Sequence, residues 1–191
     1  KVKRTARLLE CEVEMIIPPL GAATANRLVS GTVSHQHVYG FIFRLLWPLS
    51  AGNPFSAITH DVWETALGEL EPGGVLVTSP AHLSRLAGID AIAPHRAPSL
   101  VLSAGAPLSP EAAREGAAIL GVHPTEIFGS TETGACAVRN SDIPDAPWRG
   151  LPGVRLHLTP ENALVIQSPA VAAETGIATG DVAEFLPGNS F

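Results

Sequence analysis

A chain of 191 residues with 46% hydrophobic and 16% charged side chains, and a mean hydropathy of +0.23, can build a real core in one substantial domain or two unequal lobes, which excludes disorder as a description of the whole. The net charge is −6 and the few cations are scattered, so no basic stripe is available to neutralise a nucleic-acid backbone. Cys11 and Cys136 share no CxxC or Cys/His spacing, a pattern that fits a reducing cytoplasm and suggests no zinc site.

The stretch KVKRTARLLECEVEMIIPPL starts basic but has no continuous apolar run and no small-residue cleavage site, so it does not read as a signal peptide. The runs VYGFIF and LLWPL are interrupted by Arg44 and Pro48 and are too short for a bilayer, so a soluble, cytoplasmic protein with no membrane span is expected. Lys1 and Lys3 are the only lysines; every other cation, from Arg4 to Arg155, is arginine.

Leu8, Leu9, Val13, Ile16 and Ile17 fall near helical spacing, which predicts an amphipathic helix over residues 4–15, ended by Pro18 and Pro19. NRLVSGTVS then reads as a strand or a strand and turn, HVYGFIFRLLWPLSAG as a buried helix closed by Pro48 and Gly52, and NPFSAI as a short strand. A helix DVWETALGEL with Asp61 as N-cap follows, then a strand GVLVTS and a helix from Pro80 through Leu86. Next come strand SLVLSAG, helix SPEAAREGAAIL with the Ser109 cap and Pro110, and strand TEIFG.

This alternation predicts an α/β fold: a mostly parallel sheet flanked by helices. After Thr133 the texture changes. RLHL and ALVIQ, separated by TPEN, read as a β-hairpin, and VAEFLPG as a further strand and turn, which together make a small antiparallel β unit that begins a second lobe. The proline-rich, acidic SDIPDAPWRG marks the boundary, dividing the chain into residues 1–140 and 141–191.

EIFGSTETG places Ser130, Thr131, Glu132 and Thr133 at the carboxyl end of a strand in such a sheet, where open α/β sheets bind ligands. Hydroxyls suit phosphate oxygens and a carboxylate suits a hard divalent cation, so Thr131 and Glu132 can serve a nucleotide phosphate and its Mg2+ together. The blander alternative is a capping box on a loop, and composition by itself favours it. His35 and His37 lack a third ligand for a metal site. Trp47, Trp63 and Trp148 read as core or hinge packing, and Cys136 as a buried filler. No GxSxG elbow surrounds Ser130 and no GxGxxG follows a strand, which disfavours an acyl-transfer hydrolase and a dinucleotide-binding oxidoreductase.

LSAGAPLSPEAA, EIFGSTETG and IATGDVAEF, in that order, resemble the signature of the adenylate-forming enzymes: acyl-CoA synthetases, peptide-synthetase adenylation domains and their relatives. SHQHVYGF is similar to the segment bordering the acyl pocket in that superfamily, and WRGLPGVRLHL to the stretch leading into its second lobe. The resemblance implies that Thr131 contacts the α-phosphate and that Glu132 holds Mg2+. It implies that Asp181 accepts hydrogen bonds from the ribose hydroxyls, and that Gly105, Ala106 and Pro107 form a flat wall against adenine with Phe128 on the other side. It likewise implies that Gly129 and Ser130 are among the nucleotide-binding residues and that His37 and Gly40 border the acyl pocket.

The same resemblance implies ATP and Mg2+ as cofactors, coenzyme A or carrier-protein pantetheine as acyl acceptor, and a fatty or hydroxyacyl acid as substrate. An acyl carrier protein is a possible partner by the same token. Two family features are missing: the Ser/Thr/Gly-rich loop ending in Pro-Lys that grips the β- and γ-phosphates, and the lid domain with its lysine. Lys1 stands about where that loop would have ended. The expectation is an inactive internal fragment of an AMP-forming ligase; the alternative is a non-catalytic nucleotide-binding or interaction module with the same fold.

Overall fold

Two short, nearly all apolar strands, VLVT and LVLSA, buried along almost their whole length, are what the centre of a sheet covered on both faces requires. The computed structural model, which describes residues 2–143, 145–186 and 190–191, places them, as β2 (Val75–Thr78) and β3 (Leu100–Ala104), between β1 (Val29–Gly31) and β4 (Thr125–Ser130). The four lie parallel and in chain order, in register through pairs such as Val29 with Val75, Val77 with Leu102 and Ser103 with Glu126. Two antiparallel strands, β5 (Gly134–Asn140) and β6 (Arg149–Gly150), extend the sheet to six. A separate antiparallel sheet holds β7 (Arg155–Leu158), β8 (Ala163–Gln167) and β9 (Ile177–Val182). The change of sheet thus falls between Gly150 and Arg155. Among the described residues no helix is long and apolar enough to cross a membrane.

Alternate side chains of each strand go to opposite faces. Leu76 and Val101 pack against the crossover helices α4 (Trp63–Glu69), α5 (Pro80–Leu83) and α6 (Pro110–Leu120), through Trp63, Leu83 and Leu120. Helices on one side of strands added in one direction are what right-handed crossovers produce. Val75, Val77, Leu102 and Ile127 face the other way, onto α1 (Ala6–Thr24) and the helical run α2 (Val38–Phe41), a π-helical turn (Ile42–Leu46) and α3 (Trp47–Ala51). Leu164 and Ile166 of β8 join this same cluster, so the second sheet shares its core with the first.

Several elements differ from expectation for identifiable reasons. α1 does not stop at Pro18 and Pro19 but continues to Thr24. Each interior proline costs about 3 kcal/mol. Val13, Met15, Ile16 and Leu20 are buried on this helix, and at about 1.5–3 kcal/mol per side chain their burial outweighs that cost. Pro48 does not close the second helical run. It lacks the N–H that would reach the Arg44 carbonyl, and the turn before it widens so that Trp47 N–H bonds Ile42 O, five residues back. Gly52, at φ 71°, ends the run.

NPFSAI forms no strand, only one bridge between Phe55 and Val29. Asp61 caps nothing; the N-cap of α4 is Val62, without a side-chain hydrogen bond. α5 stops at Leu83, with turns carrying the chain to Leu86. The last strand is IATGDV rather than VAEF, so Asp181 sits within β9. The turn read at Pro187 and Gly188, and the position of Lys1, lie outside the described residues. By contrast, α6 forms as its sequence dictates, with Ser109 Oγ accepting the Ala112 N–H at 3.1 Å and Gly121 closing the helix at φ 74°.

Candidate functional site

The hydroxyl-rich stretch is the turn of a β-hairpin between β4 and β5, and the turn holds itself together. Ser130 Oγ accepts the N–H groups of Glu132 and Thr133, each at 3.2 Å. In return Thr133 Oγ1 accepts the Ser130 N–H at 3.0 Å and donates to the Gly134 carbonyl at 3.0 Å. The reciprocal device that composition allowed is therefore present, but it uses only Ser130 and Thr133. The side chains of Thr131 and Glu132 are exposed, with no hydrogen bond among the described residues.

Two glycines make this turn possible. The register shifts between Phe128 and Gly129, and a Cβ on Gly129 would stand 2.1 Å from the Gly134 carbonyl oxygen. Gly134 has φ 68°, and a Cβ there would meet the Glu12 carboxylate at 2.9 Å. Glu12, buried on α1, accepts the Ala135 N–H at 2.8 Å and pairs with Arg4, whose other terminal nitrogen reaches the Ala170 carbonyl at 3.2 Å. The base of the hairpin is thus fastened to the first helix.

Two cavities open on either side of this turn. The larger, about 650 Å3, is lined by Gly105, Ala106 and Pro107 after β3, by Phe128, Gly129, Ser130 and Glu132 on the hairpin, and by residues 177–181 of β9 ending at Asp181. The smaller, about 360 Å3, takes Val38, Tyr39 and Phe43 from the α2 region with Thr131 and Glu132. Gly105, Ile127, Gly129, Ser130 and Glu132 face both. The carboxyl ends of β3 and β4 and one strand of the second sheet therefore meet at one place, as open α/β sheets favour.

The structure brings together Gly105, Ala106, Pro107, Phe128, Gly129, Ser130, Glu132 and Asp181, with Thr131 in the adjoining cavity. His37 and Gly40 are not among the residues lining either one. His37 is exposed at the start of α2, and Gly40 is buried where a Cβ would stand 2.1 Å from the Ser34 carbonyl oxygen, a close approach only glycine permits. Tyr39 and Phe43 from the same helical run form the aromatic wall instead, their rings 5.1 Å apart. Burial without a hydrogen-bond partner pushes the Tyr39 phenol well above its usual range, so it stays neutral.

Sequence reasoning missed a buried carboxylate in the larger cleft. Glu126 accepts Arg139 Nε at 2.7 Å, Arg139 Nη2 at 3.2 Å and the Leu108 N–H at 3.2 Å. Glu126 and Arg139 are direct partners across β4 and β5, a signal readable only once the hairpin is known. Cys136 Sγ lies 3.2 Å from the Gly134 carbonyl, and burial pushes its thiol up to about 11, so it is a packed thiol and not a nucleophile.

No family model matches the sequence. A 4-coumarate–CoA ligase from Rhodobacter capsulatus is 28% identical over 153 residues, which cover 80% of this chain and 37% of that protein. The chain therefore spans little more than a third of the curated relative it matches. Among solved structures, a malonyl-CoA ligase complex with methylmalonyl-CoA and AMP bound superposes with a TM-score of 0.71 at 24% identity, over 88% of this chain and 40% of that one. A benzoate CoA ligase from Burkholderia xenovorans gives 0.74 at 22% identity, over 88% and 38%. The relative and these neighbours alike are CoA ligases. The resemblance to the adenylate-forming enzymes holds, and the fold shared with them is the α/β architecture described above.

Proposed function

We propose that this chain carries the nucleotide and carboxylate pockets of an ATP-dependent, AMP-forming ligase. The acid, of the fatty or hydroxyacyl class, is activated as an acyl adenylate and passed to a thiol of coenzyme A or of carrier-protein pantetheine. The observation that carries this reading is the turn between β4 and β5. It satisfies its own hydrogen bonds through Ser130 and Thr133 and leaves Thr131 and Glu132 free between two cavities. The larger cavity accommodates a nucleotide and the smaller an acyl group, so an α-phosphate bridging them would lie beside Thr131.

In the reaction a carboxylate oxygen attacks the α-phosphorus in line, and the bond to the β-phosphate breaks with pyrophosphate taking the electron pair. The thiolate then attacks the acyl carbonyl and AMP departs. Thr131 would hydrogen-bond the α-phosphate, Asp181 would accept from the ribose hydroxyls, and Gly105–Pro107 and Phe128 would enclose the base. Mg2+ characteristically binds through one or two carboxylates plus phosphate oxygens and water. Glu132, an exposed carboxylate, fits that mode, and among the described residues no group of three His, Cys, Asp or Glu could hold a metal unaided. When bound, the ion would offset the charge of the departing pyrophosphate.

The cation lining the larger cleft, Arg139, is already paired with Glu126. Among the described residues nothing else lining either cavity is cationic, so the β- and γ-phosphates of ATP find no counter-charge among them. The 191-residue chain by itself would therefore bind AMP or an acyl adenylate with little or no turnover. The non-catalytic module draws support from this same lack and shares the binding step. We further infer a division into a pocket-bearing region over residues 1–140 and a β unit over 141–191, and a cytoplasmic setting in which Cys11 and Cys136 stay free.

A cycle with 2′-deoxy-AMP tests the site. The wild-type chain should bind AMP more tightly than 2′-deoxy-AMP, and Asp181→Ala should bind the two alike. A preference for AMP that survives Asp181→Ala would remove the ribose from Asp181, and no binding of either nucleotide would remove it from the cleft.

A further inference from the structure

The larger cleft shares one wall with a neighbouring cavity of about 460 Å3, and Phe128, Arg139 and Trp148 face both. Phe128 is held from behind by two rings: Trp148, with centroids 5.5 Å apart, and Phe191, edge-on at 5.5 Å. Trp148 and Phe191 are tied through both backbone amides, Trp148 N–H to Phe191 O at 2.8 Å and Phe191 N–H to Trp148 O at 3.0 Å. The Arg139 guanidinium carbon lies 4.4 Å from the centre of the Trp148 ring.

A guanidinium can present its face to an indole while its in-plane N–H groups grip a carboxylate, a combination an ammonium does not reproduce. Arg139 does both, with Glu126 as the carboxylate. Glu126 also accepts the N–H of Leu108, the residue after Pro107. One ion pair, its carboxylate buried and its guanidinium half-buried, thereby joins the two sides of the cleft: the Gly105–Pro107 loop through Glu126, and the Phe128 face through Arg139 and Trp148.

We propose that Arg139 is a positioning residue for the nucleotide, setting the spacing between the Gly105–Pro107 loop and Phe128 by gripping Glu126 and stacking on Trp148. This rests on the larger cleft being the nucleotide site. Arg139 acts through its neighbours, and its own charge is spent on Glu126.

The test is AMP binding to the 191-residue chain by calorimetry, with acrylamide quenching of tryptophan fluorescence as a second readout. Trp47 is 0% and Trp63 5% exposed while Trp148 is half-buried, so quenching reports on Trp148. Arg139→Met alone strands a buried carboxylate and can unfold the chain. The decisive variant is therefore the double substitution E126Q/R139M, which removes both charges and should unfold cooperatively near the wild-type Tm. It should bind AMP about tenfold more weakly, the order contributed by a stacked guanidinium. Its Trp148 should be quenched more strongly without ligand. Arg139→Lys, which keeps the charge and loses the fork, should show the same weakening. A folded E126Q/R139M chain that bound AMP with wild-type affinity would overturn the proposal by itself. A folded wild-type chain that bound no AMP would overturn the nucleotide reading and this proposal with it.

Discussion

Glu12 and Ala135, 123 positions apart in the chain, are joined by a buried hydrogen bond of 2.8 Å from the Ala135 N–H to the Glu12 carboxylate. Through it the first helix holds the base of the hairpin whose turn presents Thr131 and Glu132, with Gly134 leaving just enough room for the carboxylate. Glu12→Ala should remove both that acceptor and the partner of Arg4, whose side chain is only 8% exposed. Breaking a buried pair from one side costs about 3–5 kcal/mol, so denaturant melts should show a large fall in midpoint. Glu12→Gln, which keeps an acceptor for Ala135, should lose distinctly less. Equal losses would mean that the charge, and not the hydrogen bond, fastens the hairpin.

Gly129→Ala places a methyl group where the Gly134 carbonyl oxygen stands 2.1 Å away. The strands must part or the bulge must move, at a cost of about 1–3 kcal/mol for overpacking. Thermal melts should show the loss, and nucleotide binding should weaken in the molecules that remain folded. A control at Ser109, whose hydroxyl caps α6 and which is not among the residues lining either cavity, should behave differently: Ser109→Ala should cost about 1 kcal/mol of stability and leave binding unchanged.

Much of this architecture was legible, and the exceptions have physical causes. β2, β3 and α6 announce themselves because apolar runs bounded by glycine, proline and a serine cap are strong local signals. β5 did not, because Ala135, Cys136 and Ala137, all buried, are small rather than β-branched. Small residues there leave room for α1, and they carry neither propensity nor period. Thr131, Glu132 and Asp181 were readable from motifs, whereas Glu126 and Arg139 became visible only through cross-strand register. The resemblance puts His37 and Gly40 at the acyl pocket, whereas the residues of this helical run that line the smaller cavity are Val38, Tyr39 and Phe43.

Glu69 offers a pH test away from the cleft. Burial works against its charge, but hydrogen bonds from His60 and from Ser56, the latter at 2.7 Å, hold its carboxyl below the usual carboxylate value of 4.5. A carboxyl depressed in the folded state contributes stability above its unfolded pKa and loses it as pH falls through the folded one. The Tm advantage of wild type over Glu69→Gln should therefore be full at pH 6–7 and shrink below about pH 4.5, where the unfolded carboxyl protonates. An advantage that grew on acidification would contradict the sign.

The two thiols should differ sharply in reactivity. Cys11 is partly exposed, whereas Cys136 is buried with its thiol pushed up to about 11. A thiol reagent at pH 8 should modify Cys11 alone in the folded chain and both cysteines in denaturant. Rapid modification of Cys136 in the folded chain would mean that the hairpin opens.

In a protein that carries this chain and turns over, Glu132→Gln keeps the size of the side chain and removes the charge a metal ion needs. Pyrophosphate exchange should fall by about tenfold to a thousandfold, the range for removing one electrostatic stabiliser of a transition state. Thiol transfer from preformed acyl adenylate should change much less, because no pyrophosphate leaves in that step. Thr131→Ala should weaken the same first half-reaction. Intact exchange with a lowered Tm would instead make the carboxylate part of the capping device that Ser130 and Thr133 form.

The most direct measurement is a pair of calorimetric titrations of the 191-residue chain, one with AMP and one with ATP in Mg2+. The cleft between Gly105–Pro107, Phe128 and Asp181 offers surfaces for base, ribose and α-phosphate, and its cation is already paired with Glu126. AMP should bind at least as tightly as ATP. A clear preference for ATP, lost when its γ-phosphate is removed, would contradict the account.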